Sequence, residues 1–151
     1  MKKFKNRTYF WCIACVALLC VIFGQSCLPP KESGDLSGFI VTVLKPLLDP
    51  FGWFSPEGFH LFIRKAGHFT EYFLFSFCFA QLCRDIPAVC ARGILFSALP
   101  LCLLLAVCDE FLQSFTGRGS SVRDVVLDFA GALLGAGIFL LAGRLAKKKG
   151  V

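Results

Sequence analysis

The sequence predicts an all-α integral membrane protein, a bundle of four transmembrane helices with an interfacial amphipathic segment between helices 1 and 2. Three observations lead to this class. Of 151 residues, 56% are hydrophobic and 17% charged, against about 45–50% and about 25% in soluble domains. The mean hydropathy is +0.70. The apolar residues also fall into runs of roughly twenty, the length that crosses a bilayer, parted by charged clusters. A soluble enzyme, a disordered tail and a secreted disulfide scaffold are thereby excluded. The length suits one domain, 1–151, whose polar motifs occupy about 56–144.

The first run, 8–23, follows Lys2, Lys3, Lys5 and Arg7. Cys27 stands where a lipoprotein attachment site would, but Gly24, three residues earlier, is not the branched aliphatic such a site wants, and the run is long for a signal peptide. A retained first span is expected; a signal peptide is the alternative. Leu36, Phe39, Ile40, Val43, Leu44, Leu47 and Leu48 then recur at helical spacing, the pattern of a segment lying on the membrane surface. Pro46 should bend or end it. Pro50, Phe51, Gly52, Trp53 and Phe54 suit an interfacial turn, because Trp favours the headgroup level.

Ser55, Pro56 and Glu57 provide a cap, a first helical residue and a first-turn acid for the second span, 56–83. The third, 92–115, contains Pro100, expected to kink it, which neighbouring helices tolerate. The fourth, 123–144, carries Gly131, Gly135 and Gly137 with Ala132 and Ala136, a small-residue face for close packing within the bundle. Among the cysteines, Cys12, Cys15, Cys20, Cys78, Cys102 and Cys108 lie inside apolar runs, where free thiols pack as small hydrophobes. Cys12 and Cys15 form a CxxC, but without a second pair it points to packing more than to redox or metal chemistry.

The net charge of +6 does not indicate nucleic acid, because its placement follows the membrane. With four spans, one side holds Lys2, Lys3, Lys5, Arg7, Arg84, Arg92, Arg144 and the lysines 147–149 against the single acid Asp85. The other side holds six cations and nine acids. Both termini and the loop between spans two and three are expected in the cytoplasm, and the protein in the plasma membrane.

Ionisable residues inside a span cost roughly 2.5–3.5 kcal/mol each near its centre, so they are functional candidates. They are Arg64, Lys65, His68 and Glu71 in span two, Asp109, Glu110 and Gln113 in span three, and Arg118, Arg123, Asp124 and Asp128 around the start of span four. The up-down topology brings all of them to the extracytoplasmic ends of three helices. Steps of three and four place His68 with Glu71 and Tyr72, Asp109 and Glu110 with Gln113, and Asp124 with Asp128. Stripes at one depth are satisfied by facing one another; the alternative is a solvated helix end with internal ion pairs. Asp128, deepest of the set, needs a partner such as Lys65 or Arg118. The Gly- and Ser-rich linker 115–121 either cradles an anion with Arg118 and Arg123 at the start of span four, or is a tight turn with Arg118 pairing Asp109 or Glu110. Glu71, Asp109, Glu110, Asp124 and Asp128 face the cations Arg64, Lys65, Arg118 and Arg123, so the cluster nearly neutralises itself. No metal is expected on that count, although the residue types would suit a transition metal, and no cofactor is expected either.

Three blocks resemble the VanZ-like family of small bacterial integral membrane proteins: Arg64-Lys65-Ala66-Gly67-His68-Phe69-Thr70-Glu71-Tyr72; Asp109-Glu110-Phe111-Leu112-Gln113-Ser114-Phe115; and Gly117-Arg118-Gly119-Ser120-Ser121-Val122-Arg123-Asp124 with Asp128, Gly131 and Gly135. They cover about half the chain. Thr116 stands where many members have Pro, and the amino-terminal half matches loosely, through Phe23-Gly24-Gln25-Ser26 and the serines Ser33 and Ser37. The family takes its name from a component linked to resistance to the glycopeptide teicoplanin, which acts outside the membrane on lipid-linked cell-wall precursors. The resemblance thus implies a cell-envelope role with a membrane lipid or lipid-linked component as partner, and raises antibiotic resistance as a phenotype.

Two function classes follow. One is a non-catalytic membrane module binding an envelope lipid, an amphiphilic drug or a membrane protein. The other is a membrane-embedded enzyme acting on an envelope lipid or phosphate-bearing substrate, with His68 and Asp109 or Glu110 as acid and base, and Lys65, Gln113, Arg118, Arg123, Asp124 and Asp128 binding the substrate. The chain has no nucleophile motif and no nucleotide-binding loop. Reporter fusions after Cys83 and Lys149 should signal cytoplasm and those after Asp35 and Gly119 the outside; a cytoplasmic signal at Gly119 would remove the shared face on which the polar site depends.

Overall fold

The computed structural model describes residues 2–49, 51–84 and 91–148. Pro50, Asp85 and Lys149, which enter the sequence reading above, lie outside them. The described residues form five helices and no strand: α1 Lys2–Ser26, α2 Pro30–Leu48, α3 Pro56–Arg84, α4 Ala91–Phe115 and α5 Val122–Lys148. Asn6–Ser26 of α1, Phe96–Phe115 of α4 and Val122–Ala146 of α5 are long and apolar enough to cross a membrane. In α3 the polar residues Arg64, Lys65, His68 and Glu71 interrupt the apolar run.

Local chemistry sets the helix ends. The amide of Gly58 donates to Ser55 Oγ at 3.1 Å, so Ser55 is the cap that its position before Pro56 predicts. Ser121 does the same for α5, its Oγ accepting from the Arg123 amide at 3.2 Å. α2 begins at Pro30, well before the apolar positions that announce it, and runs through Pro46 to stop at Leu48. α4 is likewise continuous through Pro100. Between α2 and α3, Asp49 is buried and organises the turn: Oδ1 accepts from the Trp53 amide at 2.7 Å and Oδ2 from the Phe54 amide at 3.1 Å. Gly52, at φ 66°, supplies the left-handed residue, leaving Phe51 and Trp53 exposed with their rings stacked 5.9 Å apart.

α3 is the central element, packed against all four other helices and most extensively against α5. The contact is backbone to backbone. A Cβ on Gly131 would collide with the Phe69 carbonyl, and one on Gly135 with the Phe73 carbonyl. Both contacts advance by four residues, so the two helices run in the same direction in one register. Gly137 meets nothing within 4 Å and takes no part. Around this seam Cys15, Ile22, Tyr72, Phe75, Cys78, Cys102, Ala106 and Ala132 form the main core, where α1, α3, α4 and α5 meet. Ala80, Cys83 and Phe139 form a second cluster. Val41 with partly buried Leu44 of α2 packs on Phe59 and Ile63 of α3, while Phe39, Ile40, Val43 and Leu47 stay exposed.

Of the six cysteines in apolar runs, Cys15, Cys78 and Cys102 are buried free thiols and Cys12, Cys20 and Cys108 are free but exposed; Cys83 is a further buried free thiol. Outward-facing Phe10, Ile13 and Val16 of α1, Leu104 and Phe111 of α4, and Val126, Leu134 and Leu141 of α5 give the bundle an apolar exterior.

Gly131→Ala and Gly135→Ala should each destabilise the protein by about 1–3 kcal/mol through overpacking, with Gly137→Ala within experimental error of the parent. Unfolding of purified protein in detergent measures the difference.

Candidate functional site

The start of α3, the end of α4 and the start of α5 converge at one end of the bundle, joined there by the end of α1. Asp109 and Asp128 are fully buried, and His68, Glu110, Gln113, Arg118 and Ser26 are buried with them. Asp109 is the hub. Its Oδ1 accepts from Ser26 Oγ, its Oδ2 accepts from Gln113 Nε2 at 2.9 Å, and that Oδ2 lies 3.9 Å from His68 Nδ1. Gln113 Nε2 also approaches Ser26 Oγ at 3.4 Å. The hydroxyl of Thr116 donates to the carbonyls of Ser26, at 3.2 Å, and Gln113, at 3.0 Å, closing the end of α4 onto α1.

The linker carries the second half of the site. Gly117 turns the chain at φ 77°, the Arg118 amide donates to the Gln113 carbonyl at 3.1 Å, and Arg118 Nη1 donates to the Gln25 carbonyl at 2.8 Å. Among the described residues the side-chain hydrogen bond of Arg118 goes to this α1 carbonyl, with Asp109 and Glu110, the partners of the tight-turn reading, close enough to act on it through charge. Burial, and Arg64 nearby, lower its pKa from the ordinary value, but a guanidinium stays charged. Glu110 Oε2 accepts from the Ser121 amide at 2.6 Å, so this acid secures the start of α5. Gln25 Nε2 donates to Glu71 Oε1 at 2.7 Å.

The structure brings most of these residues to one end of the bundle, and three of them, Lys65, Asp128 and Arg123, differ from the pairing or placement that the sequence suggests. Lys65 pairs with Asp124 at the rim, with 37% and 13% of their side chains exposed. Asp128 therefore gains neither Lys65 nor Arg118: both its oxygens are buried without a hydrogen-bond partner, as is His68 Nδ1. Arg123 is exposed, and its backbone amide donates to the capping Ser121 Oγ at the start of α5. The cation that accompanies Arg118 is Arg64. The two line a cavity of about 180 Å³ with Ser33, Gly34, Gln113 and Gly119. They also line one of about 120 Å³ with Gln25, Ser33, Gly67 and Glu71. A third cavity, of about 400 Å³, continues from Arg64 between Gly34 of α2 and Pro56, His60 and Leu61 of α3. Gln25 and Ser26, the polar pair that closes an apolar helix, are site residues that the constellation of spans two to four leaves out; their place at the end of α1 was the available signal.

Helices with apolar exteriors and acids, amides and a histidine buried at one end define a membrane protein with an internal polar site. The VanZ/LLP1 family profile matches residues 10–143, and the chain belongs to that VanZ-like family. The match takes in α1, whose end supplies Gln25 and Ser26. An uncharacterized membrane protein of Bacillus subtilis (strain 168), YwnJ, is 30% identical over 110 residues, 73% of this chain and 66% of that protein, so the chain spans just under two thirds of this relative's length. No solved structure matches the chain.

Ser26→Ala should cost about 1–3 kcal/mol, because it leaves a buried carboxylate oxygen of Asp109 without its donor. Lys65→Met, at the rim pair, should cost about 1 kcal/mol or less. Chemical unfolding in detergent ranks the two, and the opposite order would mean that the rim pair and not the Asp109 hub holds the helix ends together.

Proposed function

We propose that the protein is a four-span plasma-membrane protein with both termini in the cytoplasm, whose outward-facing site binds the anionic headgroup of an envelope lipid or lipid-linked envelope component. The observation that carries this reading is the pair Arg64 and Arg118 on two neighbouring cavities that also hold Ser33. Two guanidinium groups and a hydroxyl suit phosphate or carboxylate oxygens. The cavity beyond Arg64, with Leu61 and Pro56 in its wall, offers an apolar path for the rest of an amphiphile.

α3 serves as the fourth span in this reading. Its 29 residues at 1.5 Å each reach about 43 Å, beyond the ~30 Å hydrocarbon core, and its buried polar residues turn into the bundle. The cation excess at both termini supports the orientation. A phenotype in glycopeptide resistance fits a site on that side, where lipid-linked precursors are exposed.

One observation favours the enzyme reading as a second possibility: Gln113 lines the cavity and also donates to Asp109 Oδ2, so a bound headgroup would lie one side chain away from His68, Asp109 and Glu110. Acid–base chemistry on a phosphate-bearing envelope lipid is what that neighbourhood offers.

Protein purified in detergent should bind polyprenyl phosphate or phosphatidylglycerol in mixed micelles in preference to a zwitterionic lipid. Arg64→Ala and Arg118→Ala should each weaken that binding by about tenfold, the loss of ~1.4 kcal/mol. Equal affinity for zwitterionic lipid, or no change in either variant, would overturn the headgroup assignment; conversion of the bound lipid would decide for the enzyme.

A further inference from the structure

We propose that His68, Asp109 and Asp128 form a binding site for one divalent transition-metal ion. One donor atom from each lies within 4.8 Å of the others, and all three residues are buried. They come from α3, α4 and α5, the helices that converge at this end of the bundle.

Asp128 carries the inference. It is fully buried and both carboxylate oxygens lack a hydrogen-bond partner, and His68 Nδ1 lacks one too. A buried carboxylate without a counter-charge is unfavourable in a low-dielectric interior. The cations that a charge count assigns to these acids are engaged elsewhere: Lys65 with Asp124, and Arg118 with the Gln25 carbonyl. Arg64 is exposed on the cavity wall. The cluster is one cation short of neutral by count, and Asp128 has neither a hydrogen bond nor an ion pair to any of the four basic side chains. The proposal therefore departs from the expectation, drawn from the count, that no metal binds.

The donor set indicates which ion. Imidazole with two carboxylates suits zinc, manganese or iron(II) better than magnesium or calcium, which prefer all-oxygen shells. Metal–donor bonds of about 2.0–2.2 Å put two ligands of one ion roughly 3–4 Å apart. The 3.9 Å between His68 Nδ1 and Asp109 Oδ2 is too wide for a hydrogen bond and falls in that range. Outer support is also present: Asp109 accepts from Ser26 Oγ and Gln113 Nε2, the bonds that orient a ligating carboxylate. Three protein ligands leave a position open, in the manner of metal sites that take up a water or substrate atom.

The test uses full-length protein purified in detergent without chelator. Elemental analysis should find about one equivalent of zinc, manganese or iron, and chelated protein should take up about one equivalent of cobalt(II) with visible absorption bands. His68→Ala and Asp128→Asn should lose the ion and the bands, whereas Asp124→Asn and Glu71→Gln should keep both. Gln113→Ala should weaken cobalt affinity roughly 10–100-fold. Added zinc should raise the unfolding temperature of the parent but not that of Asp128→Asn, which separates loss of the site from loss of the fold. No saturable metal in the parent, or uptake unaffected in a folded Asp128→Asn variant, would overturn the proposal. Lipid binding in the Arg64→Ala variant reports on the headgroup reading independently, because Arg64 is not a ligand.

Discussion

The contact that the rest of the structure depends on is the bare backbone of Gly131 and Gly135 against the carbonyls of Phe69 and Phe73. No side chain separates α3 from α5 there, so the register between the two helices is set to within an atom's width. His68 precedes Phe69 and Asp128 lies just under one turn before Gly131, so the seam that brings the helices together also brings the histidine to the acid. Asp124, one turn further towards the end of the bundle, meets Lys65 by the same register. A methyl group at either glycine would press against a backbone carbonyl of α3 and disturb the register on which these pairings depend.

Hydrocarbon imposes the second constraint. In water the acids of α4 and α5 would turn outward; in a bilayer they turn inward and must find partners within the bundle. The structure meets that demand in layers. The rim uses an ion pair, Lys65 with Asp124. The next layer uses amides and hydroxyls, with Gln25 on Glu71, Ser26 and Gln113 on Asp109, and the Ser121 amide on Glu110. The deepest layer, Asp128, has no such partner. Glu71 and Glu110 each leave one oxygen without a partner, but Asp128 leaves both, which is why this residue directs attention to a ligand and not merely to packing.

The headgroup reading and the metal inference occupy adjoining parts of one site. Arg64 and Arg118 face the cavities beneath α2, while His68, Asp109 and Asp128 lie behind them, and Gln113 touches both. α2 covers this arrangement through a small contact, Val41 and Leu44 on Phe59 and Ile63, and leaves Phe39, Ile40, Val43 and Leu47 exposed. An apolar face beside an arginine-lined cavity is the combination an amphiphile with an anionic head would meet.

The sequence by itself determined the helical class, the positions of the helices and which polar side chains of α3, α4 and α5 gather at one end of the bundle. Run lengths, caps such as Ser55 and the three- and four-residue steps of polar side chains are local properties, written in neighbouring residues, and the structure agrees with them closely: α3 begins at Pro56 and α4 ends at Phe115. The glycines Gly131 and Gly135 were legible as a packing face too, though not the carbonyls they meet. What only the tertiary structure decided is who pairs with whom. Lys65 chooses Asp124 over Asp128, Arg118 binds a carbonyl of α1, Arg64 and not Arg123 joins it at the cavity, and Ser26 becomes a donor to Asp109. Charge counts cannot resolve these choices, because partners a few ångströms apart are equivalent in a sum and distinct in a register fixed by two glycines.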